Sequence, residues 1–359
     1  MFSPTSVTGV LARRAVDGTS LGWKPPPLAY IFLLGDFILF LPVLLVIGYS
    51  LACIFPTLAA VEDPLSEYEA LAMNDDEDGT PKDPVGRSRT ARPGKPITSS
   101  LRAISRLLRS QGGWLSFFRG FGVNLIVGIM TITTTTFFTI APFIPMFFAH
   151  LLALLALAPL STTWVHIVVT PPSPRSFSSR IPNIRKVYAA TWLPIVLFWA
   201  ASYASFILAA LLADLIGLKF PEDPDNYRLD ASRFAQILCV GGVFIGLQLL
   251  LCVSTGTALT RVQASLLPAD EDTVVPFDRS FAGQVEPEVV TGKGFATFKA
   301  AITTVTVRSW VRICMLNFKL MAVVVAVYMM MGVVLGLQGL VIMKMCQPEE
   351  DGTYKCHFG

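Results

Sequence analysis

GKPITSSLRAISRLLRSQGGWLSFFRGFGVN, residues 94–124, is the stretch whose reading decides the fold. Ile97, Leu101, Ile104, Leu107 and Leu108 recur at helical spacing, while Arg102, Arg106 and Arg109 keep to the other face. Ser99 or Ser100 can cap the start of such a helix, and Gly112-Gly113 can end it in a left-handed turn. Trp114, Phe117 and Phe118 follow, then Arg119-Gly120, then an apolar run. A short basic amphipathic helix leading into an apolar span is an interfacial element, lying flat before the chain enters the bilayer. Arg106, Arg109, Trp114 and Arg119 are therefore the expected membrane-interface anchor. Each basic group favours an anionic headgroup zone by about 1 kcal/mol, and Trp favours that depth.

The composition carries the same message along the whole chain. Of 359 residues, 53% are hydrophobic and only 15% charged, against about 25% charged in soluble domains; mean hydropathy is +0.59. This excludes a soluble globule and predicts an all-α polytopic membrane protein. The net charge of +3 says little, because the charges are confined to connections. The six cysteines form no C-x-x-C and have no ligand spacing with the three histidines, so no metal or cofactor is expected. Cys346 and Cys356 flank a polar tail and either pair or stay free, as a reducing compartment favours.

Residues 1–27 read as a tail without the apolar core of a secretory signal. About 20 apolar residues cross a bilayer, and on that measure the spans fall at 28–55, 119–141, 144–170, 187–217, 232–266 and 313–341. Pro142 and Pro145 divide the second from the third. The polar stretch 62–96, acidic then basic, has the composition of a disordered loop. Phe295, Phe298, Ile302 and Val305, with Lys299, Arg308 and Arg312 beside them, predict a second amphipathic helix at 294–308, following the first at 98–111. Residues 344–359 form a C-terminal tail.

Long connections fall inside each pair of spans and short ones between pairs, a threefold repeat of two spans over 28–343. Both termini then lie on one face and the long connections on the other. Those connections hold nine Lys and Arg in 57–119, four in 171–188 and seven in 261–319, most of the 28 in the chain.

The segment G-G-W-L-S-F-F-R-G (112–120), between amphipathic helix and span, resembles one repeat of the mitochondrial carrier family. The resemblance implies that family's fold, six helices in three two-span repeats with interfacial helices on one side. It also implies a test of function. Odd spans of the family end in P-x-[DE]-x-x-[RK], whose charges pair in a ring and close the cavity. Here Pro56 is followed by Leu58 and Val61 where the charges belong. Pro171 to Arg175 has the wrong spacing, and the fifth span offers Gly256, Ala258 and Arg261-Val-Gln263. On this reading the gate charges are missing, and Arg261, lacking an acid, faces water or a phosphate in an open cavity or groove. PTLAAVEDP (56–64) and VVPFDRSF (274–281) also resemble fungal membrane proteins labelled ubiquitin carriers, although no residue here supports ubiquitin chemistry.

Polar groups inside spans are costly and are read as functional by default. Asp36 either pairs with Lys344 or stays hydrated near the interface. Thr135, among the hydroxyls from Thr131 to Thr139, and Gln248 line a cavity or bond back to their own helices. Gly242-x-x-x-Gly246 and Gly332-x-x-x-Gly336 would permit close helix contacts. There is no G-x-S-x-G, P-loop or H-E-x-x-H, so an enzyme is not expected. The expected partners are the lipid bilayer and its anionic headgroups, not nucleic acid. The expected function is that of a non-enzymatic scaffold, fusion or insertase-type factor of a mitochondrial membrane, the outer before the inner. The alternatives are a divergent solute transporter, or an unrelated six-span protein of the endoplasmic reticulum or plasma membrane.

Overall fold

A segment in lipid must satisfy its own backbone, and the long apolar runs accordingly form helices. The computed structural model describes residues 27–63, 96–141, 143–173, 180–218, 230–268, 270–285, 294–348 and 354–356. The N-terminal tail and loop residues 64–95, to which the expectation of disorder applies, lie outside them.

Helix α1 (Pro27–Leu45) continues through a π-helical segment, Val46–Ile54, into α2 (Phe55–Val61). Then come α3 (Leu101–Gly112), α4 (Phe121–Thr139), α5 (Met146–Ala156), α6 (Ala158–Val169) and α7 (Ile184–Leu215). Helix α8 (Ala231–Leu247) passes through a second π-helical segment, Gln248–Cys252, into α9 (Val253–Ser265). A single turn and a half, α10 (Phe298–Thr303), precedes α11 (Val307–Met345). Two three-residue strands, β1 (Cys346–Pro348) and β2 (Tyr354–Cys356), pair antiparallel with Cys346 opposite Cys356.

Five helices are long and apolar enough to cross a membrane, and six if the bent pair α5–α6 is one span. The side chains that a soluble protein would bury point outward instead: Leu33, Ile132 and Leu215 are 69%, 70% and 83% exposed. That is the pattern of a protein whose solvent is hydrocarbon.

Three expectations about elements need correction. The third span is not straight. It bends by 58° at Leu157, and Pro159 in the first turn of α6 fixes the restart. The second amphipathic helix does not extend over 294–308. Only α10 forms, because Thr304 to Thr306 break the helix and the Thr306 hydroxyl accepts from the Ser309 amide to start α11. Arg308 and Arg312 thus belong to the last span. The glycine pairs 242/246 and 332/336 are not close-contact points, since a Cβ added at any of the four would meet nothing within 4 Å.

The chain divides into two compact units, 1–48 with 321–359 and 49–320. In the smaller, Asp36 accepts a 2.8 Å hydrogen bond from Gln338 Nε2. Gln338 on α11 is thus the partner the sequence did not identify. In the larger, α7 packs against α5, α6, α8 and α9, and α4 against α5 and α6. Helices α2, α6 and α9 each touch the other two.

The core of this unit lies where those three helices end. Phe55, Leu58, Val61, Val165, Val168, Val169, Ala264 and Ile313 are buried there together with Ile104 and Leu108 from α3. The amphipathic face predicted for 98–111 is therefore real, although it covers protein at Ile104 and Leu108.

Candidate functional site: a charged plug where three helix ends meet

Helix α2 ends at Val61, and the next two residues carry the site. Glu62 is 3% exposed and holds four groups. Its carboxylate accepts from the Ile97 amide at 2.6 Å, the Thr98 amide at 3.0 Å and the Thr98 hydroxyl at 2.5 Å. Arg312 Nη1 donates to it at 2.9 Å, while Arg312 Nη2 donates to the Glu62 carbonyl at 2.8 Å. Asp63 takes the other cation. Arg261 clamps it in a fork, Nη1 to Oδ1 at 2.7 Å and Nη2 to Oδ2 at 3.2 Å, the geometry that suits a guanidinium to a carboxylate. The Arg261 side chain is 2% exposed and that of Asp63 22%.

Arg261 therefore does not face water or phosphate. Glu62 and Asp63 stand six and seven residues after Pro56, where the sequence reads as the start of an acidic connection, and their partners come from α11 and α9.

Residues 270–285 cover the pair. The Val274 amide donates to the Val169 carbonyl at 2.8 Å, and the Asp63 amide to the Pro276 carbonyl at 2.9 Å. This strap thus ties the end of α6 to the end of α2. The Arg261 guanidinium lies over the Phe281 and Phe277 rings, at 5.2 and 5.8 Å from their centroids. Phe281 is buried in a left-handed conformation, φ 49°, which a bulky residue adopts only where its surroundings hold it. Asp278 supplies that hold, accepting from the amides of Ser280 and Ala282 and from the Ser280 hydroxyl.

A polar seam joins α6 and α9. His166 Nε2 meets the Gln263 carbonyl at 2.9 Å, and Gln263 Nε2 donates to Ser161 Oγ at 3.1 Å. Trp164 Nε1 donates to the Tyr49 hydroxyl at 3.1 Å, and that hydroxyl donates to the Arg119 carbonyl. Gly120 is needed in this cluster. Its φ is +72°, and a Cβ would stand 3.2–3.3 Å from Trp164, Ile167 and Tyr49.

Burial would raise the carboxyl pKa of Asp278, but its hydrogen bonds from Ser280 and Ala282, with Arg261 nearby, outweigh that and hold it below the usual carboxylate range. A depressed value means that the stabilisation is present above the unfolded pKa and lost as pH falls through the folded one. Amide-exchange protection of residues 274–282 is therefore expected to fall as pH drops below about 4. In Asp278→Ala it should be low already at neutral pH and change little with acid.

The expected interface anchor divides in two. Arg109 is exposed and stacks at 4.0 Å over Trp114, itself 69% exposed, and Arg106 is exposed on the same helix. Arg119 instead turns inward and donates to the Thr170 carbonyl at 2.5 Å. Arg109→Ala should change thermal stability by less than about 1 kcal/mol. Arg119→Ala should cost more, about 1–3 kcal/mol, because it orphans a buried carbonyl. Unfolding of the two purified variants in detergent separates the roles.

Of the span residues singled out in the sequence, Thr131, Thr133, Thr136 and Thr139 bond back to their own helix. The Thr135 hydroxyl is buried without a partner, and Gln248, half-buried, opens the π-helical segment of the fifth span. No protein-family model matches the chain, and neither a curated protein nor a solved structure does.

Proposed function

We propose that this is a carrier-like membrane protein of six spans in three pairs, locked at one end, acting as a non-enzymatic scaffold, fusion or insertase-type factor of a mitochondrial membrane. The observation that carries the reading is the plug, in which two ion pairs join the helix ends, Glu62–Arg312 buried and Arg261–Asp63 partly open at Asp63 and tied to a backbone-bonded strap. Alternating access needs two arrangements of similar energy. Unpairing the buried Glu62–Arg312 pair costs about 3–5 kcal/mol if its charges find no substitute, and unpairing Arg261–Asp63 somewhat less. A latch of this kind suits a fixed frame better than a gate that cycles.

The pairing of spans draws support from the odd spans. Each is interrupted before its last segment, at 46–54, Leu157 and 248–252, and that segment opens near Pro56, Pro159 or Gly256. From those residues, the positions five and seven further on hold Val61 and Asp63, Trp164 and His166, and Arg261 and Gln263. All but Val61 make the polar contacts described above. The outer membrane is favoured because its permeability to metabolites makes no demand for an alternating gate.

The test is counter-exchange of nucleotides, carboxylates and amino acids by purified protein in liposomes, with fractionation and protease protection to identify the membrane. No saturable exchange is expected. Exchange abolished by Arg261→Ala would favour the second reading, a divergent solute transporter, for which the same ion pairs would be one closed state.

A further inference from the structure

A cavity of about 270 Å³ lies between α9, α10 and the start of α11, lined by Ser254, Thr257, Ala258, Ile302, Val305 and Trp310 with Val307 at its edge. Its wall is apolar in effect, because the polar groups of Ser254 and Trp310 are consumed within it. Trp310 Nε1 donates to Ser254 Oγ at 2.9 Å, and that hydroxyl donates to the Leu250 carbonyl at 2.6 Å. A cavity whose wall is apolar apart from the Thr257 hydroxyl offers a water too few partners and takes an apolar guest. The guest within reach of a helix bundle in a bilayer is a lipid chain, and Ile302 and Val307, 38% and 79% exposed, continue the apolar surface outward.

The rim gives the headgroup its sign. Lys299 stands one turn before Ile302 on α10, and Arg308 follows Val307; both are exposed. No Asp or Glu occurs between Glu288 and Glu349, so no acid from this part of the chain offsets them. We infer that this slot binds one acyl chain of an anionic diacyl phospholipid, with Lys299 and Arg308 on its phosphate. The inference requires only that the chain sits in a bilayer, so it stands or falls separately from the scaffold reading.

Trp310 makes the site its own reporter. Full-length protein is reconstituted in phosphatidylcholine vesicles carrying chain-brominated phosphatidylglycerol or, in parallel, chain-brominated phosphatidylcholine. The emission lost in Trp310→Phe identifies the Trp310 share. Quenching of that share should need about tenfold less brominated phosphatidylglycerol than brominated phosphatidylcholine. The double variant Lys299→Gln/Arg308→Gln should lose the preference while retaining quenching, and Val305→Phe, which fills the slot from a half-exposed turn, should lose both. Equal quenching by the two lipids in the unaltered protein overturns the anionic assignment. Quenching unchanged in a folded Val305→Phe protein overturns the slot itself.

Discussion

Glu62→Ala is expected to be the most damaging single substitution in the described part of the chain, at about 3–5 kcal/mol. The carboxylate is the acceptor for two backbone amides, one hydroxyl and one guanidinium, all brought to it from 35 to 250 residues away. Its removal leaves Arg312 buried without its carboxylate, and buried unpaired charge is what makes such losses large. The same reasoning predicts a recovery. Glu62→Gln with Arg312→Met removes both charges and keeps an acceptor for the amides, so it should unfold within about 1–2 kcal/mol of the natural protein. Thermal unfolding of the purified proteins in one detergent measures both. A single variant as stable as the double one would mean that the pair contributes little.

The second large effect is at Arg261. Arg261→Met should cost about 3 kcal/mol, somewhat less than Glu62→Ala, because Asp63 is partly open and water can take over part of its load. Arg261→Lys should recover only part of that, since an ammonium cannot fork onto both carboxylate oxygens or stack as a plane on Phe281. The readout specific to the plug is local. Amides of Asp63, Val274 and Asp278, which hold the strap to the helix ends, should exchange faster in Arg261→Met than in Arg261→Lys. Unaltered exchange at these three amides would detach the strap from the ion pair.

Much of this architecture is legible without coordinates. A helix spanning lipid is specified locally, by some twenty apolar residues in a row, and so the expected runs 119–141, 144–170, 187–217 and 232–266 end within about three residues of a helical boundary, whereas the first helix runs on to Val61 and the last begins already at Val307. The amphipathic period of α3 is likewise a one-dimensional signal, and Ile104 and Leu108 are buried as it implies. Arg109 beside Trp114 needs only the four residues between them.

Charge pairing was not legible in this way, and Arg261 shows why. In the sequence it has no acid within one turn, and Glu62 and Asp63 stand at the head of a polar connection, so both read as solvated. Asp63 and Arg261 are 198 residues apart, and Glu62 and Arg312 are 250 apart. Arg119 misled in the same manner, since nothing local distinguishes a cation bound for a headgroup from one bound for the Thr170 carbonyl. Hydrophobic periodicity is a property of a single helix, and the amino-acid sequence by itself determined the membrane class, the long apolar helices and the apolar face of α3. Which buried charge meets which depends on helix ends brought together by packing, and only the tertiary structure decided that.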